Sequence, residues 1–342
     1  MCSALARATS LQSVFREDIM SYSSGSATSA IDLVQQLSAW LVTLGWTSDL
    51  SAAVGSGWRA HLHKGSNYLH MRAAMNEIIL GSHAGYGVGL YLSTSFSSAA
   101  AWDAQPGSPP VQSGTSTVLG AAMQLASGSS IPNVYFFADA TADNIVVVAA
   151  QTPGIFTHLG FGSSLAKTGT WTGGAYFFAA VGGSNFGLSA PAPGSQLSAY
   201  CPGGDSDWGQ DAAMFVRADV DSFAGKWLGV SPTTGLANGY TGKVAESSVY
   251  TSVPPSNSLA RYKGASGATF LQDRLTSVLH AEASLLPVLI WAARDSGGYS
   301  LLGSLPFIFA SNGVGNGFAA AEVYPFGSDN FTMFPNFAVK KQ

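Results

Sequence analysis

Apolar and polar positions along the chain follow two successive rhythms. From Ser29 the segment SAIDLVQQLSAWLVTLGW places Ile31, Val34, Leu37, Leu41 and Leu44 three or four residues apart, the spacing that gathers side chains on one face of a helix. Ser29 with Asp32 three positions on forms a start signal like a capping box, and Gly45 supplies a residue that tolerates positive φ at the stop. The pattern predicts an amphipathic helix of about 16 residues, long enough to pack one face on a sheet.

After that segment the period changes to two. In WRAHLHKGSNYLHMRAA the runs Trp58 to His63 and Tyr68 to Ala73 flank a polar KGSN turn, which predicts a hairpin. EIIL and GVGLYLS around GSHAG suggest a second pair. Ser98 to Gly128, rich in Ser, Gly, Ala and Pro, reads as a long connection with one short helix near Leu119 to Leu125. The strongest β signal is NVYFFADATADNIVVVAAQTPGIFTHLGFG, followed by WTGGAYFFAAV. Together they predict an antiparallel meander from Val134 to Val181 with short connections. Ile145 to Val148 is continuously apolar, so that strand is expected to be covered on both faces, with the helix a candidate for one of them.

From Gly182 to Thr269 Pro, Gly, Ser and Asn recur every few residues, and only FVRADV and KVAESSVYTSV look extended. Order resumes with LLPVLIWAA, YSLLGSLPFIFAS and NFTMFPNFAVKK. The expected fold is α+β, predominantly antiparallel β of meander or sandwich type, with the amphipathic N-terminal helix packed on the sheet. The expected organisation is an extended N-terminal arm over 1–27, a helix plus β-meander domain over 28–190, a loop-rich insertion over 191–265, and a C-terminal β segment over 266–342 packing on the same body.

Composition narrows the class. Only 10% of the 342 residues are charged while Gly reaches 40, and no Lys or Arg lies between Arg72 and Lys167. A freely diffusing domain ordinarily keeps a charged, mixed surface. With net charge −4 and no basic cluster beyond Lys340 and Lys341, the chain lacks the electrostatic footprint of a nucleic-acid binder. Cys2 and Cys201 are the only cysteines, which excludes a disulfide framework. The richest apolar run, LLPVLIWAA, is half of the roughly 18 residues a membrane-spanning helix needs. The N-terminal segment, interrupted by Arg7, Arg16, Glu17 and Asp18, does not read as a secretory signal, so synthesis and retention in a cytoplasm are expected, with release by lysis.

The chemistry candidates each have a plain structural counterpart. His61 and His63 point to one face of a strand with His70 across the hairpin, but Glu77 and His83 stand too far along the chain to close a metal site. Asp205, Asp207 and Asp211 resemble a calcium loop, yet Gly209, Gln210 and the lack of a terminal Glu break the EF-hand pattern. Whether they hold a structural ion stays open. Asp219 and Asp221 are spaced as a carboxylate pair without a fixed separation, and with Asp205 and Asp207 they define the glycan-cleaving alternative. GSHAG has His83 where a nucleophile elbow has serine, Gly242-Lys243 lacks the rest of a phosphate loop, Cys201 has no His nearby in sequence, and Asn330-Phe331-Thr332 is a glycosylation sequon without secretory context. No residue is assigned as catalytic, cofactor-binding or metal-binding, and no enzyme activity or cofactor is expected. Trp102, Trp171, Trp208, Trp227 and Trp291 sit beside small or polar neighbours; core burial, interface anchoring and stacking on sugar all remain open for them.

YFFADATADNIVVVAAQTPGIFTHLGFG, WTGGAYFFAA and NFTMFPNFAVKK resemble a family of uncharacterised virion structural proteins of tailed bacteriophages. The likeness rests on Gly45-Trp46, HLHKG at 61–65, Ile145 to Val148, Leu159 to Gly162 and Pro335-Asn336, and covers about half the chain in short pieces, leaving out the middle from about Ala190 to Ala265. None of these is a catalytic motif. The resemblance implies a tail, neck, collar or baseplate component, located in the virion after assembly in the host cytoplasm, whose partners are copies of itself and other virion proteins, with no nucleic acid and no membrane span. A receptor- or glycan-binding module at the tail tip is the alternative, with a host surface glycan as partner. The composition agrees, because a subunit buried among copies of itself needs few surface charges.

Overall fold

The computed structural model describes residues 20–78, 84–109, 120–179, 181–182, 214–219, 226–230, 285–293, 299–310, 318–326, 328–334 and 337–341. Strand β1 (Ser21–Ala27) precedes helix α1 (Ala30–Thr43), and β2 (Thr47–Val54), β3 (Gly57–Lys64), β4 (Asn67–Glu77), β5 (Gly85–Ser93) and β6 (Ala121–Leu125) follow. The middle of the chain adds β7 (Ile131–Ala138), β8 (Asn144–Thr152), β9 (Ile155–Gly162), β10 (Ala166–Lys167), β11 (Thr172–Ala179), β12 (Val181–Gly182), β13 (Met214–Asp219) and β14 (Lys226–Val230). The C-terminal part contributes β15 (Leu286–Ala293), β16 (Tyr299–Ala310), β17 (Val323–Phe326), β18 (Asp329–Met333) and β19 (Phe337–Lys340).

These strands form three antiparallel sheets. The central sheet has the order β1-β7-β8-β9-β11-β13-β14, the helix-side sheet β12-β6-β5-β4-β3-β2, and the C-terminal sheet β10-β16-β19-β18-β17 with β15 on β16. The expected α+β, predominantly antiparallel architecture with the helix on a sheet is what the chain adopts. The continuous apolar run of β8 is explained by its position. Ile145, Val147 and Ala149 belong to the core shared with α1 and the helix-side sheet, whereas Val146, Val148 and Ala150 belong to the core shared with Leu302, Ile308, Phe334 and Val339 of the C-terminal part. A strand covered on both faces has no solvent side on which to alternate.

Helix α1 fills the wedge between two layers. Leu33, Val34, Leu37 and Leu41 are buried, Trp40 lies against Phe136 of β7, and Trp46 meets Phe161 edge-on while its indole N–H donates to the Ala142 carbonyl at 3.0 Å. The start signal works as the residues suggest: Ser29 Oγ accepts from the Asp32 amide at 3.2 Å. Asp32 reaches back one residue further than a capping box would, accepting from the Thr28 amide at 2.7 Å. Gly45 takes φ +90 just past the end.

Other expectations are corrected. The short helix near Leu119 to Leu125 is instead strand β6, paired from Ala121 to Leu125 with β5 and buried at every position. Ala, Met, Gln and Leu are good helix formers, but propensity is a small preference and burial beside β5 overrides it. EIIL is not a separate strand: β4 runs on through Glu77, which pairs with Gly85, while 79–83 lie outside the described residues. The expected meander is present as neighbours β7-β8-β9-β11, with two detours. Between β9 and β11 the chain adds β10 to the C-terminal sheet, and after β11 it adds β12 to the helix-side sheet, so the meander ties the layers together. Within the 191–265 segment, β13 and β14 extend the central sheet; KVAESSVYTSV lies outside the described residues.

Candidate functional site

The face of the helix-side sheet turned away from α1 carries the densest polar chemistry among the described residues. Strands β3 and β4 are paired so that His61 stands opposite His70 and Arg59 opposite Arg72, and β5 brings Tyr91 beside His70. Alternation sends Ala60, Leu62, Leu69 and Met71 to the apolar core on the other face. The segment from Thr94 to Pro109 closes over part of this face as a compact loop. The Thr94 and Ser95 amides both donate to the Pro106 carbonyl at 3.3 Å, and the buried Gln105 amide side chain bonds the Ser97, Ala100 and Ala101 backbone. Its Phe96 ring packs on His61 with centroids 5.0 Å apart, its Trp102 ring meets Tyr91 edge-on, and its Gly107 carbonyl accepts from the Trp227 indole of β14 at 3.0 Å.

A hydrogen-bond chain runs across the strands and fixes every proton in it. Ser93 Oγ donates to the Ser95 carbonyl at 2.7 Å, so it can only accept from His70 Nε2, which lies 2.6 Å away. His70 is then bare at Nδ1 and accepts from His61 Nδ1–H across 2.7 Å. His61 Nε2 is left as an unprotonated lone pair, buried and without a partner among the described residues. Both rings are fully buried. Burial, reinforced by the Arg59 charge, holds His61 down to about 4, and burial, reinforced by His61, holds His70 down to about 2. At neutral pH the pair is uncharged and carries two N–H protons, one of them between the rings.

Arg72 and His63 are paired outward. Arg72 binds Glu77, which also accepts from Ser56 Oγ at 2.7 Å, and His63 binds both Asp49 oxygens at 2.9 Å while stacking on Tyr68. The anticipated histidine trio is therefore split. His61 and His70 face each other, His63 belongs to Asp49, Glu77 to Arg72, and His83 lies outside the described residues. Among the described residues no three His, Cys, Asp or Glu side chains converge to hold a metal ion.

Asp205, Asp207, Asp211, Asp221, Cys2, Cys201, Trp208 and Gly242-Lys243 lie outside the described residues, as does Ser82-His83 of GSHAG. Asp219 ends β13 exposed and accepts from Thr172 Oγ1 at 3.1 Å. Trp102 and Trp227 are buried. The half-exposed Trp171 donates its indole N–H to the Thr168 and Leu302 carbonyls at 3.1 and 3.0 Å under the Lys167 ammonium. Trp291 lies on β15, and Asn330 sits in β18 opposite Pro325. Sequence reasoning found His61 and His70 through the hairpin but missed Ser93 and the loop that seals them, since that register depends on how β4 pairs with β5. No helix among the described residues is long and apolar enough to cross a membrane. The chain is thus a three-sheet antiparallel β protein with an internal histidine chain; no protein-family model matches it, and no curated protein matches its sequence.

Proposed function

We propose that the chain is a non-enzymatic structural component of a tailed bacteriophage particle, in the tail, neck, collar or baseplate, acting through protein–protein contacts with copies of itself and with other virion proteins in a symmetric assembly. One observation carries this reading beyond the resemblance. The stretch from Ser21 to Val54 contains β1, α1 and β2, and β1 and β2 are terminal strands of their respective sheets. Its charged residues are Asp32 and Asp49 alone. Both are engaged locally, Asp32 by Thr28 and Asp49 by His63. The outer stripe of α1 is Gln35, Ala39, Val42 and Thr43, with Val42 47% exposed.

Free sheet edges in monomers are ordinarily protected by Lys, Pro or a strong bulge. Neither β1 nor β2 has a Lys or Pro, though each has one register shift, at Gly25/Ala27 and at Ser48/Leu50, and an edge–helix–edge stretch with so few charges suits burial against a neighbouring subunit. Trp102 and Trp227, two of the aromatics considered for sugar stacking, are occupied in the core. The test is quantitative mass spectrometry of gradient-purified particles, counting copies of this chain against the major capsid protein. A stoichiometric signal that survives high-salt washing is expected; absence from the particles overturns the reading. Val42→Glu should leave the circular dichroism of the isolated chain unchanged yet reduce its incorporation.

A further inference from the structure

We propose that acid unlatches the loop from Thr94 to Pro109: a third proton on the His61–His70 pair finds no acceptor inside the sealed face, and the loop carrying Phe96 and Trp102 lifts to admit water. The geometry leaves two places for that proton. On His70 Nδ1 it would set two N–H groups head to head across 2.7 Å, breaking the bond that joins the rings. On His61 Nε2 it would create a buried cation beneath Phe96, with no partner among the described residues and with Arg59 two positions away on the same strand face.

None of the charged or titratable groups around the pair is hydrogen-bonded to either ring. On β3 they are Arg59 and His63, on β4 Tyr68, Arg72 and Glu77, on β5 Tyr91, on β2 Asp49 and on the loop Asp103. Glu77 is bound by Arg72 and Ser56, and Asp49 by His63. The Tyr91 hydroxyl donates to the Trp102 carbonyl, and burial pushes its ionisation further up, so it stays neutral. The loop is the element able to respond, because its hold on the pair consists of the Phe96 ring contact and the link from Ser93 to Ser95. Its far end is fastened separately, at Gly107 to Trp227.

The experiment is amide hydrogen exchange of the full chain between pH 7 and pH 4, corrected for the intrinsic rate and followed over residues 93–106, with a variant lacking both rings as the reference that shares the acid response of His158. Each unit by which a group is held below its ordinary value is worth tenfold in the opening equilibrium, so exchange in the loop should rise by about a hundredfold or more. His61→Asn combined with His70→Gln keeps an amide N–H where each ring donates and leaves neither ring to titrate, and should cut that rise to about tenfold or less. A loop that stays protected at pH 4, or one that opens equally in wild type and the double variant, overturns the proposal. Nitrogen-15 spectra of the wild-type histidines at pH 7 give an independent reading. His61 is expected to be protonated at Nδ1 and His70 at Nε2; a proton on His61 Nε2 overturns the latch even if the variant fails to fold.

Discussion

Replacing Gly160 with alanine tests the way the central sheet is built. In an ordinary strand this change helps folding by about 0.5–1 kcal/mol, because alanine surrenders less backbone entropy than glycine. Here the sign should reverse. Gly160 of β9 stands opposite Phe178 of β11, and the aromatic ring lies over the space a side chain would occupy. A Cβ at Gly160 would overlap Phe178 at Cζ and come within 2.6 Å of its Cε1 and 3.0 Å of the Ile145 carbonyl oxygen. The ring has little room to retreat: Phe178 is buried, stacked on Tyr176 and flanked by His158. Forcing a methyl group into such packing costs about 1–3 kcal/mol, which outweighs the entropic gain and leaves a net loss of about 1–2 kcal/mol.

The control is Phe178→Leu, which withdraws the far end of the ring. Alone it should destabilise; combined with Gly160→Ala it should recover most of the steric loss. The two changes are then expected to couple by about 1 kcal/mol or more in a double-mutant cycle of urea unfolding followed by circular dichroism. Additivity within about 0.5 kcal/mol, or a stabilising Gly160→Ala, would refute the reasoning. Gly162 repeats the arrangement one step along, where a Cβ would overlap the Asn144 side-chain oxygen and press on Tyr176.

Three further outcomes follow from the same packing. His158 is buried in β9 between Phe178 and Phe337, and burial holds it down to about 4 against an ordinary 6.5. The unfolded chain therefore takes up a proton below about pH 6.5 that the folded chain refuses, so stability present above that pH falls by about 3 kcal/mol by pH 4. His158→Phe should flatten the dependence of the urea midpoint on pH over that window, and curves parallel to wild type would count against it. Phe334 is fully buried between the central and C-terminal sheets, stacked on Phe337 and edge-on to Tyr135, Phe137 and Phe156. Phe334→Ala should cost about 3–5 kcal/mol and expose the C-terminal sheet first to limited proteolysis; uniform cleavage would contradict that placement. Ser29→Ala removes the cap of α1 and should cost about 1 kcal/mol in thermal or urea unfolding, with Ser29→Asp restoring it.

The sequence by itself determined the elements whose partners lie nearby along the chain. Helix α1, the β3–β4 hairpin and the β7-β8-β9 part of the meander are written in local periodicity and turn residues, because their spacing and capping are set within a few residues. Even the two-sided burial of β8 was legible, since an unbroken apolar strand has to be covered twice. Only tertiary structure decided the rest. Ala121 to Leu125 became β6 because β5 and the core stood beside it, against its own helical leaning. Segments as short as β10 and β12 carry no periodic signal, yet they are where the chain changes sheets. The same holds for the site: His61 and His70 could be placed on one face from the hairpin, but the Ser93 link, the bare nitrogen of His61 and the seal of Phe96 depend on how distant segments close over a sheet. Periodicity records which side of an element is covered; it does not record what covers it.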